Sequence, residues 1–245
     1  MQILGIDIGG TGVKGAPVDT SKGVLLAERL RLPTPKPSTP RAVADVVAEI
    51  TRHFGWTGRG GCGFPGVVRN GVVLTAANVS KKWLGVAADS LLKKTTGCDF
   101  VSINDADAAG VAELRFGAGK GKKGVVLVLT LGTGIGSALY LDGKLVPNIE
   151  LGQLEINGRN AEKWASAKVR NDEKLSWKKW ATRLDTYLDR VHSHFWPELI
   201  ILGGGVSKNF EKFAPHLTVD CPVVPATLRN KAGIIGAALH AAETS

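Results

Sequence analysis

Ile6-Asp7-Ile8-Gly9-Gly10-Thr11-Gly12-Val13-Lys14-Gly15 and Leu129-Thr130-Leu131-Gly132-Thr133-Gly134-Ile135-Gly136-Ser137-Ala138 decide how this chain is read. Each is a glycine-rich turn between two apolar runs, and each carries a threonine. Glycine admits positive φ and lets backbone N–H groups approach an anion with no Cβ in the way. Thr11 and Thr133 can add a hydroxyl donor, and Lys14 a charge. Neither turn ends in the Gly-Lys-Ser/Thr of a Walker loop, and neither leads into a helix as a dinucleotide-binding turn does. One such turn alone reads equally well as an ordinary hairpin. The matched pair, with Val101-Ser102-Ile103-Asn104-Asp105 between them, points to a phosphotransferase.

Working outward, residues 2–8, 12–18 and 24–32 read as strands, and Thr20-Ser21-Lys22-Gly23 as a turn between the last two. Three prolines between Thr34 and Pro40 remove ladder donors and end the sheet pattern. Thr39 then caps a helix with Pro40 at its first position and Val43, Val46, Val47 and Ile50 on one face. A strand near 60–64, a hairpin near 66–75, a helix near 85–96 and a strand at 99–103 follow, the last leading into a helix opened by Asp105. The order then repeats. Strands at 124–131, 135–141 and 144–146, the last two joined by Asp142-Gly143, precede helices near 160–169 and 175–193. A strand at 198–202, a helix near 206–214, a strand at 222–225 and a helix near 231–242 complete the chain. This duplication predicts two α/β domains, 1–118 joined by the C-terminal helix 233–245, and 119–232, with their glycine turns facing across a cleft.

Composition narrows the partners. The 245 residues are 44% hydrophobic and 22% charged, ordinary for a globular protein. No stretch approaches the ~18 apolar residues of a membrane helix, and the start lacks a signal peptide's charged and apolar regions, so a cytoplasmic protein without a membrane partner is expected. Cys62, Cys98 and Cys221 are widely spaced and read as reduced packing thiols. A net charge of +9 favours anionic partners. No nucleic-acid-binding signature accompanies it, which leaves a phosphate substrate or simply a Lys/Arg-rich surface.

Asp7 lies inside an apolar strand, where a carboxylate costs desolvation unless paired or metal-bound. Mg²⁺ arriving with a polyphosphate, held through water, is the natural partner; the alternative is a surface-facing strand end. Asp105 reads either as a helix N-cap or as a general base taking a proton from a substrate hydroxyl. Glu150, Gln153 and Glu162 follow the second hairpin and suit paired sugar hydroxyls, or are solvated loop groups. Gly203-Gly204-Gly205 after an apolar strand suits a phosphate chain or tight helix–sheet packing.

Together, Asp7-x-Gly9-Gly10-Thr11-x-x-Lys14, Asn104-Asp105, Gly132-Thr133-Gly134-x-Gly136 and Gly203-Gly204-Gly205 resemble the sugar kinases of the ROK family. The likeness spans essentially the whole chain. It implies an α/β fold of two ribonuclease-H-like domains, of the actin/hexokinase type, around a cleft. Leu32-Pro33-Thr34-Pro35, Phe64-Pro65-Gly66-Val67-Val68, Ala76-Ala77-Asn78-Val79, Asn104 to Gly110 and Pro147-Asn148-x-Glu150 resemble the actinobacterial polyphosphate glucokinases of that family, which include a polyphosphate/ATP glucomannokinase.

By this resemblance Asp105 is the base that deprotonates the 6-hydroxyl of glucose or mannose. Gly66, Asn78, Asn104, Glu150, Gln153 and Glu162 bind the sugar. Asp7 orients Mg²⁺; Gly9, Gly10, Thr11, Lys14, Gly132, Thr133 and Gly134 cradle the transferred phosphate; Gly204 and Gly205 flank polyphosphate or ATP. A homodimer is implied as well. Two departures stand out: Gln153 occupies the family's histidine position, and the family's zinc-binding cysteines are missing after Gly158, so no structural zinc is expected. The rival readings are a strictly ATP-dependent hexokinase and a non-catalytic sugar-binding regulator. Regulators of this family carry a helix-turn-helix ahead of the first turn; with that turn starting at residue 7, such a module is not expected here.

Overall fold

The computed structural model describes residues 1–244. The chain folds as β1 (Gln2–Ile8), β2 (Val13–Asp19), β3 (Val24–Leu25), β4 (Leu30–Leu32), α1 (Pro40–His53), β5 (Gly60–Phe64), β6 (Val68–Arg69), β7 (Val72–Val73), α2 (Ala88–Thr96), β8 (Phe100–Asn104) and α3 (Asp105–Phe116). It continues as β9 (Val125–Leu131), β10 (Ile135–Leu141), β11 (Lys144–Val146), β12 (Glu155–Ile156), β13 (Arg159–Asn160), α4 (Glu162–Ala165), α5 (Ala167–Asp172), α6 (Trp177–Phe195), β14 (Leu199–Gly203), β15 (Val223–Pro225) and α7 (Ala232–Glu243). Two compact units result: Met1–Ala112 with the segment from Lys231 onward, and Glu113–Asn230.

The first unit is built on the sheet β3-β2-β1-β5-β8, with β4 also paired to β2. The second is built on β11-β10-β9-β14-β15. In the first unit β1 pairs antiparallel with β2 and parallel with β5, and β5 parallel with β8; in the second β9 pairs antiparallel with β10 and parallel with β14, and β14 parallel with β15. The repeated pattern in the sequence is therefore a repeated sheet order, an antiparallel three-strand meander followed by two parallel strands beside its first strand. Functional ends collect at the carboxyl edges of the parallel strands, where open α/β sheets place their ligands.

Period-2 and period-3.6 patterns account for the local structure. Leu4, Ile6 and Ile8 alternate onto one face of β1 and join the core formed with Val43, Val47 and Ile50 of α1. Thr39 caps α1 as expected, its hydroxyl accepting from the Ala42 amide at 3.4 Å. In the second unit Trp180, Leu184, Tyr187, Leu188 and Val191 of α6 bury against Leu127, Leu129, Ile200 and Leu202. Asp142 and Gly143 both take positive φ, 52° and 80°, in the tight turn joining β10 to β11.

The other face of β1 and β5 is covered by α7 at backbone distance. A Cβ on Gly5 would overlap the Ile234 carbonyl, one on Gly61 the Ala237 carbonyl, and one on Gly236 the Ala108 carbonyl of α3. These glycines are there for close approach rather than for flexibility.

Three expected elements are broken. The run 24–32 becomes β3 and β4, because residues 26–29 bulge out opposite Ala16 and Pro17 of β2; Pro17 has no N–H to continue the ladder. The helix near 160–169 becomes α4 and α5, since Ser166 is extended and caps α5, its hydroxyl accepting from Val169 N at 3.3 Å. The helix near 206–214 is instead a kinked run of 3₁₀ turns, Gly205–Lys212 and Ala214–His216, with Asn209 outside helical geometry and Pro215 in the second turn.

Replacing Gly61 by Ala forces backbone atoms of α7 and β5 apart, an overpacking with no flexible side chain to yield. The expected cost is about 3 kcal/mol or more, read as a lower urea midpoint of unfolding; an unchanged midpoint refutes the close-approach account.

Candidate active site

In the first unit, the glycine turn links β1 to β2 and is closed by Gly9 N donating to Gly12 O at 3.0 Å. Asp7 and Lys14 are direct cross-strand partners, and Lys14 Nζ donates to Asp7 Oδ2 at 2.9 Å with side chains 24% and 17% exposed. Arg31 of β4 is in turn opposite Lys14, and its Nη2 donates to the Thr11 carbonyl at 3.1 Å. One carboxylate and two cations thus line up across three strands beside the turn. Thr34 donates to the Gly9 carbonyl, so the proline-rich segment also fastens the turn. Asp7 shares the β1 face of Gly5, which looks toward α7: a Cβ on Gly233 would sit 3.0 Å from Asp7 Cγ. The start of α7 therefore abuts this carboxylate.

The strand ends next to it carry the second group. Register places Asp7 beside Gly63 of β5, Gly63 beside Ile103 of β8, and Phe64 beside Asn104. Asn104, 5% exposed, is the cap of α3: its Oδ1 accepts from Ala106 N at 2.8 Å and Asp107 N at 3.0 Å. Its Nδ2 donates to the Gly66 carbonyl at 3.1 Å. Asp105 is the first residue of α3 rather than its cap, though its Oδ1 also accepts from Ala106 N at 2.9 Å. The capping alternative for Asp105 thus passes to Asn104, and Asp105 is half-buried at the carboxyl edge of the sheet. Asn78 lies against the first glycine turn, for a Cβ on Gly10 would come within 3.0 Å of Asn78 Cβ. Gly66, Asn104 and Asp105 are brought together, as are Asn78 and Gly10.

In the second unit, Gly132 N donates to Gly134 O at 3.0 Å and Lys168 N to Gly132 O at 3.0 Å, so α5 pins the second turn. Thr133 is exposed at its tip. A Cβ on Gly134 would displace the Glu162 carboxylate that packs there, and Gly204, at φ 80°, sits on the Leu131 backbone. Glu150, Gln153 and Glu162 form one polar group. Glu150 is exposed as a residue, yet the protein atoms around its carboxyl displace water and push its pKa up; the Glu162 charge adds to this, while a hydrogen bond from Gln153 opposes it. Gln153 at this corner supplies a donor to a carboxylate without adding a titrating group.

A cavity of about 510 Å³ opens at the second turn, lined by Gly132, Thr133 and Gly205 and also by Lys168, Arg170, Lys208 and Asp172. The three cations were not singled out from sequence, nor was Arg31. The signals were present: Lys208 follows the triple glycine closely, and Lys168 and Arg170 alternate in a short polar helix.

Two glycine turns and an aspartate at a capped helix start are features shared with known proteins. Residues 3–148 match the ROK family. The chain belongs to the ROK family. Over 237 residues it is 48% identical to the polyphosphate glucokinase of Mycobacterium tuberculosis, covering 96% of this chain and 89% of the relative. The crystal structure of the inorganic polyphosphate/ATP-glucomannokinase of Arthrobacter sp. strain KM superposes with a TM-score of 0.96 at 52% identity, covering 98% of each chain. A ROK family glucokinase from Streptomyces griseus, in complex with glucose and AMPPNP, has the same fold at a TM-score of 0.86 and 24% identity, covering 100% of each chain. The resemblance carried by the motifs is borne out, and the fold is the mixed α/β, two-domain fold of the actin/hexokinase type.

For this ROK chain, carboxylate coupling gives a direct test. Following the Glu150 carboxyl by NMR, we expect its titration above the usual glutamate value. Glu162→Gln removes one upward push and is expected to lower that midpoint, whereas Gln153→Ala is expected to raise it. An unmoved midpoint in both variants refutes the coupling.

Proposed function

We propose that the chain is a polyphosphate glucokinase, transferring a phosphoryl group from inorganic polyphosphate, and also from ATP, to the 6-hydroxyl of glucose, with mannose as a second acceptor. The observation that carries this reading is Asp105 at the opening of α3, with Asn104 capping the helix and joined to Gly66. The likeness to a polyphosphate glucokinase and a polyphosphate/ATP-glucomannokinase supports the donor and the acceptors.

The roles follow from chemistry. Asp105 accepts the 6-hydroxyl proton as that oxygen bonds to the terminal phosphorus; the bond to the bridging oxygen breaks, and the shortened polyphosphate leaves. Gly66, Asn78, Asn104, Glu150, Gln153 and Glu162 are the groups assigned to the sugar. Backbone amides at Gly10 and Gly134, with Thr11, Thr133 and Lys14, offset the charge on the transferred group, while the amides of Gly9 and Gly132 close the two turns that present them. Gly204 and Gly205 flank the donor chain.

A divalent cation fits this site in one way only. Among the described residues no group of three or more His, Cys, Asp or Glu could cage a metal. A lone carboxylate beside a phosphate turn suits Mg²⁺ that keeps its waters and takes further oxygens from the donor. Asp7 would hold it, and when bound it supplies charge neutralisation at the phosphates. The same reading includes a cytoplasmic homodimer; no helix among the described residues is long and apolar enough to cross a membrane.

The decisive assay is sugar 6-phosphate formation from glucose and from mannose, each with polyphosphate and with ATP; ATP-only turnover selects the strictly ATP-dependent alternative. Asp105→Asn is expected to lower kcat by about 10²–10⁴-fold while glucose still binds, and near-normal turnover refutes the base. With a net charge of +9, affinity for long polyphosphate is expected to fall with added salt more steeply than affinity for ATP. Equal salt dependence counts against a cationic track for the donor.

A further inference from the structure

The cavity of the second unit is lined by three cations, Lys168, Arg170 and Lys208, against one carboxylate, Asp172. Arg170 of α5 lines it with its Cζ 3.5 Å from the ring centroid of Trp177, the first residue of α6 and another lining residue. Its Nη1 donates to Asn171 Oδ1 at 3.1 Å, while its Nε is buried without a partner. Lys168 is paired with Asp172, but among the described residues neither Arg170 nor Lys208 is paired with a carboxylate. Two cations therefore line the cavity without a carboxylate partner.

Trp177 is the only aromatic ring among the described residues lining this cavity. A nucleobase would seek such a ring to stack on, yet Arg170 covers it. Phe213 lies near-parallel to the same indole at 6.0 Å and 22°, and the Trp180 ring meets it edge-on at 6.0 Å. The indole thus works as a brace for a guanidinium rather than as a platform for a base. A braced guanidinium loses little freedom on binding, and its planar fork can grip phosphate oxygens through two N–H groups.

We infer that Arg170, braced on Trp177 and assisted by Lys208, selects the phosphoryl donor: it binds phosphates of a linear polyphosphate beyond the one transferred, and keeps the indole from a nucleobase. This rests on the cavity being the donor site of the proposed kinase. A polyphosphate continues past the turn at Gly132–Gly134 as further phosphates, which the fork can hold. In ATP a ribose and a base follow the triphosphate, and the fork holds neither.

The test compares kcat/KM for long-chain polyphosphate and for ATP, at saturating glucose, in the wild type, Arg170→Ala and Arg170→Lys. The polyphosphate-to-ATP ratio is expected to fall about tenfold or more in Arg170→Ala. Arg170→Lys keeps the charge but loses the flat fork, and is expected to fall between the two. Calorimetric titration of long-chain polyphosphate into sugar-free protein is expected to show the same order. A ratio within threefold of wild type in Arg170→Ala overturns the inference, as does an equal loss with both donors, which a merely structural role produces. Wild-type protein that uses no polyphosphate at all overturns the reading of the cavity itself; wild type that uses it while Arg170→Ala keeps its ratio overturns only the role of Arg170.

Discussion

Helix α7 lies against β1 and β5 so closely that a single added methyl group would strike backbone, and the acidic edge of the first unit depends on that approach. Gly5 and Gly61 admit the helix on the strand side, and Gly236 admits α3 on its far side. The helix then starts beside Asp7, so the last element of the chain helps to position a carboxylate only seven residues from its beginning. Dense interiors transmit such constraints because they have no slack. The parallel register of β1, β5 and β8 does the rest, carrying Asp7 and Asn104-Asp105 to the same edge of one sheet.

Division of labour between neighbours explains how an aspartate can sit at a helix start and still be available for chemistry. Asn104 takes two amides of α3 and gives its amide to Gly66, so helix capping, strand end and loop position converge on one buried side chain. Asp105, next in sequence, inherits a defined position without carrying the cap alone. In the second unit the corresponding economy is electrostatic. Glu150 and Glu162 are close enough to raise the cost of ionising Glu150, and Gln153 relieves part of that cost with a hydrogen bond. A titratable histidine at that position would bring a second proton equilibrium to the same corner.

Much of the fold was legible because its determinants are local. Alternation in residues 2–8, the Thr39-Pro40 cap, and the positive-φ pair Asp142-Gly143 each specify an element from within a few residues. The breaks were not legible, because their causes are non-local. The run 24–32 is interrupted by Pro17, which becomes its neighbour only once β2 has paired with it. Ser166 splits a helical pattern where the Trp180 indole, fourteen residues on, donates to its carbonyl at 3.3 Å. Likewise Arg31, Lys168, Arg170 and Lys208 looked like surface cations in one dimension, and only folding gathers them around the two turns.

By itself the sequence determined the repeated order of strands and helices, the two glycine turns, the position of Asp105 and, through its motifs, membership of the ROK family. These are patterns of neighbouring residues, and periodicity and turn chemistry act over a few residues. The tertiary structure alone decided that Asn104 rather than Asp105 caps α3, that Asp7 pairs with Lys14 and abuts α7, and that Arg170 rests on Trp177. Those are contacts between segments separated in sequence or aimed by packing, and side-chain geometry exists only once the backbone that presents it has closed into sheets and helices.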